Sequence, residues 1–506
     1  MDIFNEGVDI PAVNQIIMLR PTQSPIVFVQ QLGRGLRKHS QKGYVVILDF
    51  IGNYTNNFMI PLALSGDRSY NKDAIRRYVM EGTRVIPGIS TVHFDAIARE
   101  QIFRSIDNSK VTLKLLKENY LNLRHKLGRV PDLVDFQAHG DIDPLLLVDK
   151  KGSYQAFLIQ VMGEECVSFS AAELLALQYL SDFVMKGMRP HELLILQSLL
   201  DTGRADEQTT AQGLGHWLIT FDEPSYQSAA RVLALEFSTS TQMKRKYGEL
   251  ELVNPLPSNA LELVNTLPHN SLELVDPQSN NALVPSEAFE HLLQRQEFHH
   301  AVADLIAFGL QRFSQKYAAG YGEEADHGEV SAFGPDALAD QASTKYEKVA
   351  FSPFALYEKY TRRDVCQLLN WPNDDSSTMY GYRVKHGTCP IFVTYEKSQD
   401  ISESTKYEDQ FIDQRFFSWM TRSNLRLDSK EVLQIRNAAK LGIDVHLFVK
   451  KHDNEGSDFY YLGKANPVAC RQCTIKNNAG KELPIVNFTL ELEHSVPDDL
   501  FDYLEN

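Results

Sequence analysis

The sequence predicts a multidomain chain of mixed class, α/β at its start, helical through its middle and α+β at its end. Three observations carry this. Largely apolar runs of strand length, Gln15–Leu19 and Tyr44–Phe50, flank a segment of helical spacing near the N-terminus. Apolar residues recur at three and four positions through much of the middle. Aromatic and β-branched runs separated by turn residues fill the C-terminal part. At 506 residues the chain exceeds the roughly 250–300 that one core holds, so several domains are expected.

The first region, residues 1–65, reads strand, helix, strand: Gln15–Leu19, Ile26–Lys38, Tyr44–Phe50. Two mostly apolar strands joined through a helix suggest a parallel sheet covered on both faces. The second region, 66–245, is helical, clearest in Leu174–Met185 and His191–Leu200. The third, 246–348, holds a tandem repeat and a helical segment. Leu-Glu-Leu-Val begins at Leu250, Leu261 and Leu272, an eleven-residue period broken by Pro and Asn. That unit is shorter than the roughly 20–50 residues of a solenoid, so it reads as a linker, with edge-paired strands the alternative. In the fourth region, 349–506, Val445–Val449 and Phe459–Gly463 flank a turn and read as a hairpin.

Composition excludes some functions. No run of eighteen apolar residues occurs, so no membrane span is expected. Five scattered cysteines suit reduced thiols in a cytoplasm. A net charge of −15 argues against general adhesion to nucleic acid, so such contact must come from local basic surfaces. One lies at Ile102–Val130, where Arg104, Lys110, Lys114, Lys117, Arg124, Lys126 and Arg129 face only Asp107 and Glu118.

The strongest chemical signal is Gln30-Gln31-Leu32-Gly33-Arg34-Gly35-Leu36-Arg37. On a helix Gln30, Arg34 and Arg37 share one face. Guanidinium forks there suit phosphate oxygens, and an arginine offered to a γ-phosphate stabilises the charge of phosphoryl transfer. Upstream stands Glu6-Gly7-Val8-Asp9-Ile10-Pro11, where a glycine permits close backbone approach beside an acidic residue. In order and spacing these strings resemble motifs V and VI of superfamily 2 helicases, in the second RecA-like lobe of restriction-type enzymes. The resemblance implies that Asp9, with Gly7 and Gly33, lines the nucleotide, that Arg34 and Arg37 are arginine fingers, and that Gln30 orients phosphate or water. It implies ATP and magnesium as cofactors of an assembly containing the first lobe.

The chain departs from that family in one respect. It contains no Gly-x-x-x-x-Gly-Lys-Ser/Thr loop to cradle phosphates and no Asp-Glu pair in the right order to hold magnesium. Trp217–Glu223 imitates such a pair but lies after motif VI, and reads as a helix boundary. The chain alone is therefore expected not to hydrolyse ATP. The expected partner is nucleic acid, DNA by analogy; the first lobe is either supplied by a separate chain or lost by truncation. The alternative is a nucleic-acid-binding module that keeps the lobe as a remnant.

Two further resemblances follow. Lys126–Phe136 is similar to the small helix-turn-helix modules after helicase cores, with Gly128 closing one helix and Pro131-Asp132 opening the next. Such modules often set a helix against phosphates, and the basic residues Lys114, Lys117, Arg124, Lys126 and Arg129 beside it support that contact; the alternative is a helical spacer that packs on the lobe. The strings around Arg363, Tyr380, Ile391–Lys397, Tyr407–Phe411 and Phe448–Lys451 resemble an uncharacterised domain at the C-terminus of restriction-type helicases. There Tyr395, Tyr407, Phe417 and Trp419 are candidates for base stacking, and Arg363, Lys397, Arg422 and Lys450 for phosphate. Asp364, Asp409, Glu396 and Lys397 hold the groups of a nuclease but no defensible spacing. Cys470 and Cys473 make at most half a zinc site.

Overall fold

The computed structural model describes residues 12–18, 42–49, 71–81, 92–108, 111–140, 142–163, 166–238, 240–254, 282–321, 349–395, 409–476 and 481–505, with positions 28, 32, 33, 36, 61 and 64 besides. Contacts divide the chain into two compact units, Met1–Leu147 with Asp498–Leu504 and Asn506, and Val148–Pro497 with Glu505. The architecture is mixed α/β, with much helix and one curled sheet.

In the first unit, strands β1 (Gln15–Met18) and β2 (Val46–Asp49) pair in parallel, Gln15 opposite Val46 and Met18 opposite Asp49. Phe28, Leu32 and Gly33, between them in sequence, are helical. Ile17, Tyr44, Val46 and Leu48 are exposed on this two-stranded sheet. Helix α1 (Lys72–Glu81) starts where Asn71 Oδ1 accepts the Asp73 N–H at 2.9 Å. Arg76, 1% exposed, crosses from it to helix α2 (Ala96–Asn108), donating to Asp73 at 2.7 Å and to Asp107 at 2.6 Å. Phe103 of α2 meets Tyr503 edge-on, ring centres 4.7 Å apart.

Helix α3 (Leu113–Leu127) buries Leu116, Tyr120 and Leu123 and stops at Gly128, whose φ of 69° suits glycine. Helix α4 (Leu133–His139) begins with a reciprocal capping box between Asp132 and Asp135. The boundaries expected from Gly128 and Asp132 are those observed.

The second unit has a helical part and a sheet. Residues 171–183 and 191–202 are helical, as their spacing predicts. Helix α5 (His191–Thr202) is the hub: Leu193, Leu194, Ile195, Leu196 and Leu199 are all buried, against the helices Glu207–Leu214, Glu223–Leu233 and Gln296–Tyr321. An apolar surface of that width belongs inside a core. Gly187, at φ 60°, lies where an added Cβ would come within 2.3 Å of the Gly309 carbonyl oxygen, so the chain passes against the 296–321 helix backbone to backbone. Asp222 caps helix 223–233 through the Ser225 N–H at 2.9 Å, so the acidic pair there is a helix start. Just before it, the short strand β3 (Ile219–Thr220) pairs in parallel with β4 (Val349–Ala350).

Of the tandem repeat, residues 255–281 lie outside the described set. Its two ends are held together: the Asn254 N–H donates to the Val284 carbonyl at 3.1 Å and that of Ser286 to Leu252 at 3.0 Å. Leu252 and Val253 are buried, so the first repeat belongs to the core of this unit.

Seven strands form the C-terminal sheet: β5 (Lys359–Thr361), β6 (Thr388–Thr394), β7 (Gln410–Phe411), β8 (Phe416–Met420), β9 (Asp444–Lys450), β10 (Asp458–Lys476) and β11 (Glu482–Leu492). Their order is β6-β9-β10-β11-β8-β7, with β5 also on β10. β6 and β9 are parallel, and the other pairs antiparallel. The expected hairpin is present, Tyr461 pairing with Phe448. β10 pairs with β5 and β9 through its first half and with β11 through its second, with register shifts at Tyr461/Gly463 and Pro467/Ala469. Bulges bend a strand and raise its twist, which curls this sheet.

One polar cluster fastens the sheet's helix α6 (Arg362–Leu368) to the helical part. Arg189 and Glu192, each 2% exposed, form a two-pronged ion pair at 2.6–2.9 Å. Arg189 also donates to the Gln367 carbonyl at 3.2 Å, to Asn370 Oδ1 at 2.8 Å and to Ser228 Oγ at 3.1 Å. The Gln367 side-chain amide returns to Glu192 at 2.7 Å. Every partner of the pair is hydrogen-bonded, the condition under which a buried charge is tolerated.

Candidate nucleic-acid interface

The basic stretch resolves into one helix face. On α3 the apolar positions 116, 120 and 123 turn inward. Lys114, Lys117 and His125 are exposed on the opposite side, while Arg124 is half-buried. Lys114 is 86% exposed and meets Glu118 only at 3.9 Å, a pairing that neutralises little of its charge in water. Lys117 has no partner among the described residues. Lys126 donates to the His139 carbonyl at 3.2 Å.

Arg129 is different. Its guanidinium sits in a fork of carboxylates, 2.9 Å from Asp132 and 2.8 Å from Asp135, and so locks the turn between α3 and α4. That charge is spent within the turn. Helix α4 itself, Leu-Val-Asp-Phe-Gln-Ala-His, carries no lysine or arginine. Two helices joined by a turn are formed, and their exposed lysines, Lys114, Lys117 and Lys126, all lie on the first.

Of the nucleotide-facing candidates, Gly7, Asp9, Gln30, Arg34 and Arg37 lie outside the described residues. Gly33 is helical and exposed, with nothing within 4 Å of a Cβ placed on it.

In the C-terminal sheet the stacking candidates need correction. Trp419 is 2% exposed, wedged between Tyr382, whose ring centre is 4.8 Å away, and Phe488 at 5.8 Å. Phe417 is fully buried beside Phe411. Neither ring has a face to offer a base, because both sit at inward positions of strand β8. Tyr395 is half-buried against Phe411, and Tyr407 lies outside the described residues.

The cations named from sequence are largely paired: Arg363 with Asp374 at 3.4 Å, Arg422 with Glu431 at 2.7 Å, Lys450 with Asp453 at 2.9 Å. Lys397 lies outside the described residues, as does Glu396. Asp364 closes the capping box of α6, and Asp409 accepts the Met420 N–H at 2.8 Å, so both carboxylates serve local backbone. Cys470 and Cys473 sit three positions apart on β10 and project to opposite faces. No group of three His, Cys, Asp or Glu side chains able to hold a metal occurs among the described residues. Among the same residues no helix is long and apolar enough to cross a membrane.

Tyr380, named from sequence only as part of a string, is 72% exposed. Arg362, not singled out from sequence, is half-buried beside Phe392 and Phe459; it is adjacent to Arg363, and only the fold tells which of the two meets a carboxylate.

Two burials perturb titration. Burial lowers His191 to about 4, with Arg189 adding to the effect, and lowers His446 to about 4. His446 Nδ1 is 3.0 Å from the Tyr461 hydroxyl, and both histidines are held neutral inside the core.

Comparison with known proteins gives two family matches. Residues 354–504 match a domain of unknown function (DUF3427), and residues 116–318 match another (DUF8090). A 67-residue stretch is 42% identical to the Saccharomyces cerevisiae protein named "Putative ATP-dependent helicase IRC3", covering 13% of this chain. The chain spans only 10% of that protein's length. The relationship to a helicase is thus a short one.

Among solved structures, the sulfur-binding and SRA domains of ScoMcrA in complex with phosphorothioated DNA align at 13% identity with a TM-score of 0.20, over 63% of this chain and 89% of that one. The type IV phosphorothioation-dependent restriction endonuclease ScoMcrA aligns at 12% identity, also with a TM-score of 0.20, over 78% of this chain and 71% of that one. Scores of that size do not establish a common fold.

Proposed function

We propose that this chain is the C-terminal portion of an ATP-dependent nucleic-acid helicase or translocase of the restriction-type superfamily 2 class. In this reading residues 1–65 are part of the second RecA-like lobe, 66–245 the helicase-associated helices, 246–348 a connector and 349–506 a domain that engages nucleic acid. The observation that carries it is the parallel pairing of β1 with β2 across the Gln30–Arg37 string. A parallel pair needs a crossover, and parallel sheets are covered on both faces and seldom stop at two strands. The exposed Ile17, Val46 and Leu48 share one face and suit a sheet that a further layer covers there. The short helicase similarity points the same way.

Arg34 and Arg37 then reach a γ-phosphate held by a first RecA-like lobe, Gln30 orients phosphate or water, and Gly7, Asp9 and Gly33 line the nucleotide. ATP and magnesium bind only in that assembly, because the phosphate loop and its acidic pair are not in this sequence. Lys114 and Lys117 lead the phosphate contacts, with Arg124 and Lys126 beside them.

The test is turnover. The purified chain should show no ATP hydrolysis with or without DNA. Nucleic-acid-stimulated hydrolysis that disappears in Arg34→Ala would overturn the claim that the catalytic half lies elsewhere.

A further inference from the structure

The connection between β8 and β9 runs through two short helices, Lys430–Arg436 and Ala438–Leu441. Val432, Ile435 and Ala438 are buried, and both helices lie against strand β10. Lys430, Arg436 and Lys440 occupy the opposite side and are all exposed. Arg426, also exposed, stands at the head of the first helix. Its N–H donates to Ser429 Oγ at 2.9 Å, and its carbonyl accepts the Ser429 N–H at 3.0 Å. The residues on either side of it are tied to β10: the Leu427 N–H donates to Gln472 Oε1 at 3.1 Å, and the Gln472 amide donates to the Leu425 carbonyl at 3.3 Å. Arg426 is thus presented from a fastened turn that leads directly into the row of cations.

The side chains of these four cations form no ion pair or hydrogen bond among the described residues. Arg363, Arg422 and Lys450, by contrast, each have a carboxylate. The acids beside the row are engaged elsewhere: Glu431 with Arg422 at 2.7 Å and with the Tyr382 hydroxyl at 3.1 Å, and Asp444 with Lys464 at 3.1 Å. Between Arg426 and Leu441 that leaves Asp428 as the one carboxylate not so engaged. In a chain of net charge −15, such a row is a local excess of positive charge that favours a polyanion. From Lys430 to Lys440 a helix advances about 15 Å. Duplex presents about nine phosphate charges over that length, at about one per 1.7 Å. A line of cations can therefore meet a linear polyanion at several points together.

We propose that the outward side of the helices at 430–441, with Arg426 at its head, is the surface by which the C-terminal domain holds a nucleic-acid phosphate backbone. Its contacts are to phosphate, so they position the strand without reading its sequence. The inference rests on the nucleic-acid reading given above and names the residues that carry it in residues 349–506, on a surface separate from Lys114 and Lys117. Leu433 and Leu441 are exposed on the same helices, so an acidic protein is the competing occupant and enters the test.

The experiment is fluorescence anisotropy of the full chain with a labelled duplex oligonucleotide across a salt series, and with labelled polyglutamate. A variant carrying Lys430→Ala, Arg436→Ala and Lys440→Ala changes exposed side chains only, so its melting temperature should match the parent's. It should bind duplex about tenfold more weakly or worse at low salt, with a log–log slope shallower by about 2.7, about 0.9 for each phosphate no longer neutralised. Lys430→Arg with Lys440→Arg keeps the charge and should bind as the parent does. If the parent binds duplex and the triple variant binds it equally well, the inference is wrong while the nucleic-acid reading stands. Loss of polyglutamate binding with duplex binding unchanged would assign the surface to an acidic protein and likewise overturn the inference. A parent chain that binds no duplex at low salt overturns both.

Discussion

Arg189 and Glu192 show how one buried pair holds distant stretches of sequence together. Removing one partner leaves the other charged and desolvated. Glu192→Ala should cost about 3–5 kcal/mol, and Gln367→Ala less, since it removes a neutral amide. Urea midpoints read both, and a loss below about 1 kcal/mol for Glu192→Ala would contradict the network's role.

The two neutral histidines set an acid limit. His191 and His446 have folded pKa values near 4, below the ordinary 6.5 of the unfolded chain. The unfolded state therefore binds protons first as the pH drops. Stability should be full above about pH 6.5 and fall between there and about pH 4, by on the order of 3 kcal/mol per histidine at about 1.4 kcal/mol per pKa unit. Glu192, its carboxyl held low by Arg189 and its hydrogen bonds against the opposing effect of burial, adds a loss at lower pH still. Denaturant midpoints at pH 7.5 and 5 check this, and equal midpoints would refute it.

At the scale of elements, much was legible and some was not. The helices at 171–183 and 191–202, the ends at Gly128 and Asp132, the hairpin of β9 and β10 and the two parallel strands all follow from spacing and caps, which are local. What failed was non-local. Trp419 and Phe417 alternate along β8 as surface aromatics would, and only the packing of Tyr382, Phe411 and Phe488 makes them core. Arg129 reads as one more cation in a basic run until the turn brings Asp132 and Asp135 around it. The course of β10 through Pro467 was also invisible, because a proline within a run ordinarily demotes a strand and the bulge accommodates it here. Gly187 tests the close passage against helix 296–321. Gly187→Ala meets both an unfavourable φ and the Gly309 carbonyl, so it should destabilise by about 2 kcal/mol or more, whereas Gly203→Ala, with open space around it, should cost less. Thermal unfolding of the two variants compares them directly, and equal destabilisation would mean that the approach to Gly309 adds nothing.

For the whole molecule, a net charge of −15 confines nucleic-acid contact to restricted surfaces. The exposed face of α3, carrying Lys114 and Lys117, is proposed as one such surface, with phosphate as its contact. Such binding releases condensed counterions, so its affinity falls steeply with salt in a way that counts the phosphates engaged. The most direct measurement is the salt dependence of duplex affinity for the full chain, beside a variant with Lys114 and Lys117 both replaced by alanine. The account predicts binding at low salt, a steep negative log–log slope, and a variant whose slope is shallower by about 1.8, about 0.9 for each phosphate no longer neutralised. No binding at low salt, or a variant with unchanged affinity and slope, would contradict it.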